Sequence, residues 1–108
     1  MRGTQYPTVA TSGTVSDIFD LQNAGLAATL WAPVITSGLV YLQASPDTTS
    51  ANFTRMGKSD GSGVWSWSAA AGSGCISLRD VLGGIRYARV ETQNPQADVR
   101  SFAVITQL

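Results

Sequence analysis

Two runs near the end of the chain constrain its fold most. Ile85-Arg86-Tyr87-Ala88-Arg89-Val90 and Val99-Arg100-Ser101-Phe102-Ala103-Val104-Ile105-Thr106 are dense in β-branched and aromatic residues. Such residues suit a pleated, half-buried surface, and the two runs predict strands, joined by the polar loop Gln93 to Asp98. Arginines and small polar groups fall on their outward side. No histidine exists in the chain to exchange a proton near neutral pH. Strong strands without that chemistry point to a domain that binds rather than reacts.

Upstream, short apolar runs alternate with turn signals. Thr14 to Leu21 reads as a strand, because its β-branched start and the following Gly25 disfavour a helix from Ser16. Leu26 to Trp31 alternates and stops at Pro33. Leu39-Val40-Tyr41-Leu42-Gln43-Ala44-Ser45 is apolar on both sides at first, as a central strand is. Phe53 to Met56 is a further short strand. Gly57 to Gly63, with its Asp60-Gly61 pair, predicts a hairpin leading into Val64-Trp65-Ser66-Trp67-Ser68. Arg79 to Gly84 fits one helical turn closed by glycine. Short strands at this spacing predict an all-β fold, a single small antiparallel β-sandwich or jelly roll spanning residues 14–108. Residues 1–13, polar and broken by Pro7 and Gly13, are expected to be an extended N-terminal arm that orders on a neighbouring subunit.

The 108 residues suit one domain with one core. Charged residues make up only 13%, and seven acids balance seven bases. A neutral surface gives no long-range attraction to nucleic acid or an anionic membrane, whereas few charges need desolvating in a protein contact. No run approaches the about 20 apolar residues that cross a bilayer, and Met1 to Pro7 lacks the apolar core of a secretion signal. Synthesis in a cytoplasm, with the protein left unprocessed, is the expectation. Cys75 is the only cysteine and is expected to be a buried thiol.

Trp65 and Trp67 share one strand face, which suits filling the core, anchoring a partner or stacking on a sugar. Trp31, beside Pro33, is expected in the core. Six arginines against one lysine favour planar, readily desolvated guanidinium contacts. Arg86, Arg89 and Arg100 on the closing strands are candidate partner contacts, as are Arg2 and Tyr6 on the arm. Asp47, Asp60, Asp80 and Asp98 sit singly in turns and lack the close spacing of a calcium loop. No metal, cofactor or catalytic residue is expected, and the chain is read as not an enzyme.

The landmarks occur in a distinctive order. Ser16 to Leu21 and Trp31-Ala32-Pro33 precede a Gln-x-Ser-x-Asp turn at Gln43 to Asp47. Ile76-Ser77-Leu78, a Gly-x-Arg-Tyr-x-Arg-Val strand at Gly84 to Val90 and a hydrophobic last strand follow. From about Thr14 onward this resembles small tailed-bacteriophage virion structural proteins. It departs from them at Thr48 to Ala51 and in its Ser/Gly-rich hairpin. The resemblance implies a capsid decoration, or cement, protein in the virion, bound to the major capsid protein and to copies of itself as a small homo-oligomer. A glycan-binding attachment module and a head–tail connector or tail component are the alternatives.

Overall fold

Alternation decides which side of each strand is buried, and in the longest strand it is clean. Between Leu39 and Ser45, Val40, Leu42 and Ala44 point inward while Leu39, Tyr41 and Gln43 are half-buried. The computed structural model describes residues 2–21, 28–49, 52–57, 61–68, 74–77 and 86–107. Among them the strands are β1 (Arg2–Gln5), β2 (Thr8–Val9), β3 (Phe19–Asp20), β4 (Ala28–Ala32), β5 (Leu39–Ser45) and β6 (Thr54–Arg55). They continue with β7 (Trp67–Ser68), β8 (Gly74–Ser77), β9 (Tyr87–Thr92), β10 (Arg100–Ser101) and β11 (Ala103–Gln107).

The fold is all-β, and every pairing among the described strands is antiparallel. One sheet has the order β1-β11-β4-β8. A second runs β3-β9-β5-β6, with β7 also on β5, and β10 pairs with β2 as a separate two-stranded sheet. The facing sides of the two larger sheets meet in a core of Phe19, Leu21, Leu30, Val40, Leu42, Val90, Phe102 and Val104, all almost fully buried. The predicted central strand is therefore central, held between β9 on one side and β6 and β7 on the other.

The two ends of the chain form one bent ribbon. Arg2 to Gln5 pair with Gln107 to Val104, and Thr8 and Val9 pair with Ser101 and Arg100. The Phe102 N–H donates to the Pro7 carbonyl at 2.9 Å, so the register is kept through the bend. The extended conformation expected of residues 1–13 is present in 2–9, but these residues pair within their own chain. Val9 has 0% of its surface exposed and belongs to the core. Alternation explains this: Val9 carries the apolar side chain that an otherwise polar segment needs to hold one face against the core.

Polar side chains close the seam between the sheets. The Gln5 carboxamide donates to the Asp20 carbonyl at 2.6 Å and accepts from its N–H at 3.0 Å, a side-chain substitute for a ladder step between β1 and β3. Ser16 forms a bridge with Val9, its N–H donates to the Val90 carbonyl at 2.8 Å, and its hydroxyl accepts from the Val90 N–H at 2.9 Å. At the opposite seam, a Cβ on Gly74 would lie 2.9 Å from Trp67 Cζ2. Only glycine lets the indole rest on the backbone of β8.

One end of the sandwich is tied by Gln96, which is 1% exposed. Its side chain accepts from the Thr36 N–H at 2.9 Å and donates to the Asn94 carbonyl at 2.9 Å. Gly38, at φ +84°, turns beneath this loop where a Cβ would approach Asn94 Nδ2 and Gln93 Oε1 to 2.7 Å.

Two expectations are corrected. Trp31 is 51% exposed, because Leu30 and Ala32 take the inward positions and parity turns the residue between them outward. Cys75 is also exposed, since it pairs with Trp31 and shares its face. The flanks of the predicted hairpin pair, with a Gly57–Val64 bridge and the Trp65 N–H donating to the Met56 carbonyl at 2.9 Å, while residues 58–60 of its turn lie outside the described residues. The expected helical turn at 79–84 lies outside the described residues.

Phe102 fills the inside of the ribbon's bend, so Phe102→Ala is expected to cost about 3–5 kcal/mol. Urea unfolding checks this: the midpoint falls while the slope stays unchanged.

Candidate functional site

The outer faces of the two sheets differ in chemistry, and this division defines the candidate surfaces. On the second sheet, the residues of β9 and β5 that alternate away from the core are Tyr87, Arg89 and Glu91, and Leu39, Tyr41 and Gln43. Register sets Arg55 of β6 beside Gln43 and Asp20 of β3 beside Tyr87. Arg55 grips Glu91 with two bonds, Nε to Oε1 at 2.9 Å and Nη2 to Oε2 at 2.7 Å. Gln43 extends the array by donating to Glu91 at 2.8 Å and accepting from Arg89 Nε at 2.5 Å. Arg86 pairs with Asp20 at 3.3 Å.

Each of these arginines also lies over a ring. The guanidinium carbons sit 4.0 Å from the Tyr41 ring for Arg55, 4.7 Å from Phe53 for Arg89 and 5.0 Å from Tyr87 for Arg86. A cation over the negative face of a ring is attracted by the ring quadrupole, and stacking fixes the guanidinium plane. The array is therefore ordered before any partner arrives.

The first sheet presents a different surface. Its outward positions include Thr4, Thr29, Trp31, Cys75, Ala103 and Ile105, none of them charged. The constant register of the ribbon places Tyr6 opposite Ala103, and Ala103 pairs with Trp31. Two exposed aromatic residues thus flank a small one in a single cross-strand row. Sequence reasoning missed Trp31 here. The signal was available in Leu30 and Ala32, whose inward claim fixes Trp31 on the opposite side.

The remaining predicted contacts are distributed as follows. Trp65 and Trp67 are half-buried and pack against the core, so they do not make an open platform. Arg100 is held at the loop end, with Nε 3.4 Å from Gln96 Oε1 and Nη2 3.3 Å from Thr36 Oγ1. Arg2 is in β1 opposite Gln107, and its side chain lies outside the described residues. The structure therefore brings Arg86 and Arg89 together with Arg55 and Glu91, which sequence reasoning did not single out. Arg100 and Tyr6 lie elsewhere.

Asp47 accepts from the Thr49 N–H at 2.8 Å and from Asn52 at 3.0 and 3.2 Å. The backbone N–H of Thr49 contributes most to holding its carboxyl below the usual range. These bonds make it the closure of the Ser45–Asn52 turn. Among the described residues no group of acids or cysteine is arranged to hold a metal ion, and no helix is long and apolar enough to cross a membrane.

No protein-family model and no curated protein matches the chain. Among solved structures, the SPBc2 prophage-derived protein YomS superposes with a TM-score of 0.53 at 13% identity, over 98% of this chain and 94% of that one. A protein of Bacillus endospore appendages, described as a novel family of disulfide-linked pili, gives a TM-score of 0.45 at 13% identity, over 100% and 88%. The likeness to YomS is one of fold, shared from end to end.

The bonds from Arg55 contribute most to holding the Glu91 carboxyl below its ordinary value, outweighing partial burial. A carboxylate whose folded pKa is depressed stabilises fully above its unfolded pKa of about 4.3, and that contribution fades as pH falls through the lower folded value. Unfolding free energy measured by urea titration from pH 7 to pH 3 is expected to lose about 1 kcal/mol or less from this source below about pH 4.3. The half-exposure of Arg55 keeps the figure small. Glu91→Gln should remove that part of the acid dependence.

Proposed function

We propose that the protein is a bacteriophage virion structural protein of the capsid decoration, or cement, type. It binds the outer coat lattice without covalent linkage and bridges neighbouring coat subunits. The observation that carries this reading is the stacked arginine array on the outer face of the second sheet. Arg55 uses two of the five N–H donors of its guanidinium on Glu91, which leaves others for a carboxylate of a partner. Its side chain is 46% exposed and that of Arg86 is 60% exposed. Because stacking already orders these side chains, docking sacrifices little rotamer entropy. Planar guanidinium forks match coat carboxylates in pairs of bonds.

The fold shared with a prophage-derived protein supports the phage assignment, and so does the resemblance carried by Gln43 to Asp47 and Gly84 to Val90. A sequence without histidine and a site made of mutually bonded, stacked groups fit binding rather than catalysis. Many modest contacts repeated over a closed shell add up through multivalency, so one copy need not bind tightly. A small homo-oligomer at a local symmetry axis would bring several arrays to the lattice together.

Purified shells of the phage that encodes this chain, stripped of the protein and re-decorated, test the proposal. Re-decorated shells should resist heat better than bare ones, and binding should weaken as salt rises from 50 to 500 mM. Arg86→Ala combined with Arg55→Ala should lower occupancy at least tenfold, read by sedimentation of shells, while the folded protein keeps its circular dichroism spectrum. Equal heat resistance of bare and decorated shells would reject the cement role.

A further inference from the structure

The outer face of the first sheet has a shape of its own around Ala103. Tyr6 is 65% exposed and Trp31 is 51% exposed, and the small Ala103 lies between them in the same cross-strand row. Neighbouring strands are about 4.8 Å apart, so the two aromatic residues rise from positions roughly 9–10 Å apart. A ring standing on edge over Ala103, with one face toward each aromatic residue, needs about 3.5–4 Å on each side, which this spacing supplies. The next row holds Thr4, Ile105 and Thr29, giving hydroxyls beside the notch.

We infer that this notch is a binding site for a neutral pyranose sugar, seated on Ala103 with Tyr6 and Trp31 against its faces. Three features select that ligand class. Aromatic faces take up the C–H side of a sugar ring, and Tyr adds a hydroxyl at the rim. The described side chains that frame the notch, Thr4, Thr29, Trp31, Cys75, Ala103 and Ile105, carry no charge, so a carboxylate or phosphate seated within it would meet no cation among them, whereas the uncharged ring of a neutral sugar needs none. The floor strands β11 and β4 are each paired on both sides. Their backbone groups are engaged in ladders, so an extended peptide finds no main-chain partners here, whereas a sugar brings donors and acceptors suited to threonine hydroxyls.

The site is independent of the coat-binding array, which lies on the other sheet. The test therefore uses the purified 108-residue chain without shells. An array of neutral and sialylated glycans is screened, and the strongest neutral hit is titrated while tryptophan emission is followed. Saturable binding with a blue shift is expected. Trp31→Ala and Tyr6→Ala should each weaken it at least tenfold. Ala103→Leu, which fills the notch while leaving both rings in place, should do the same. Thr54→Ala, exposed on the other sheet, should bind as the parent does. Melting curves confirm that each variant is folded.

Failure of every neutral glycan to exceed the Trp31→Ala signal would overturn the inference, as would unchanged binding by Ala103→Leu. A dimer in sedimentation velocity that Trp31→Ala dissociates would overturn it too, since a second copy would then occupy this face. None of these outcomes bears on shell binding, and loss of shell binding in the arginine variants leaves the sugar site standing.

Discussion

The sandwich depends on a ribbon whose strands come from opposite ends of the described chain. Residues 2–9 and 100–107 hold one antiparallel register through a bend at Pro7 and Phe102. On one side of the bend the ribbon belongs to the β1-β11-β4-β8 sheet. On the other it leads, through the Val9–Ser16 bridge, to the strand beside β9. A single pairing thereby joins both layers and fixes their relative position. The buried Phe102 and Val9 are what this pairing presents to the core. Without it, each sheet would have an apolar face and no fixed partner.

Local pattern revealed the strands better than their partners. Leu39 to Ser45 was visible because both faces of its first half are apolar, which is what a strand flanked on both sides needs. The pairing of Gly57 with Val64 was visible because the glycine-rich stretch between them signals a turn at short range. The N-terminal segment misled because its composition is polar and its partner lies at the far end of the sequence. Nothing local records that Thr4 faces Ile105. Gln5, Ser16 and Gln96 were equally silent. Each completes a ladder or a loop with a side chain, and such a role has no periodicity.

The candidate surfaces show the same division. Arg86 and Arg89 were identifiable from their strand, yet their meaning changed once their neighbours were known. They are members of a bonded and stacked group with Arg55, Glu91 and Gln43, rather than loose surface charge. Trp65 and Trp67 drew attention by proximity in sequence and proved to be packing residues. Trp31 attracted little attention beside its proline, and strand parity turned it toward solvent. Among the described side chains the arginine array lies on one face and the exposed Tyr6 and Trp31 on the other, which suits the two sides to different partners.

The stack of Trp67 on Gly74 has a consequence for substitution. A Cβ at position 74 would lie 2.9 Å from the indole, closer than side-chain carbons tolerate. Trp67 also pairs with Val40 in the central strand, so a side chain at 74 would have to push the ring, and its strand with it, away from that register. One missing carbon thus sets how closely the two layers lie at this edge.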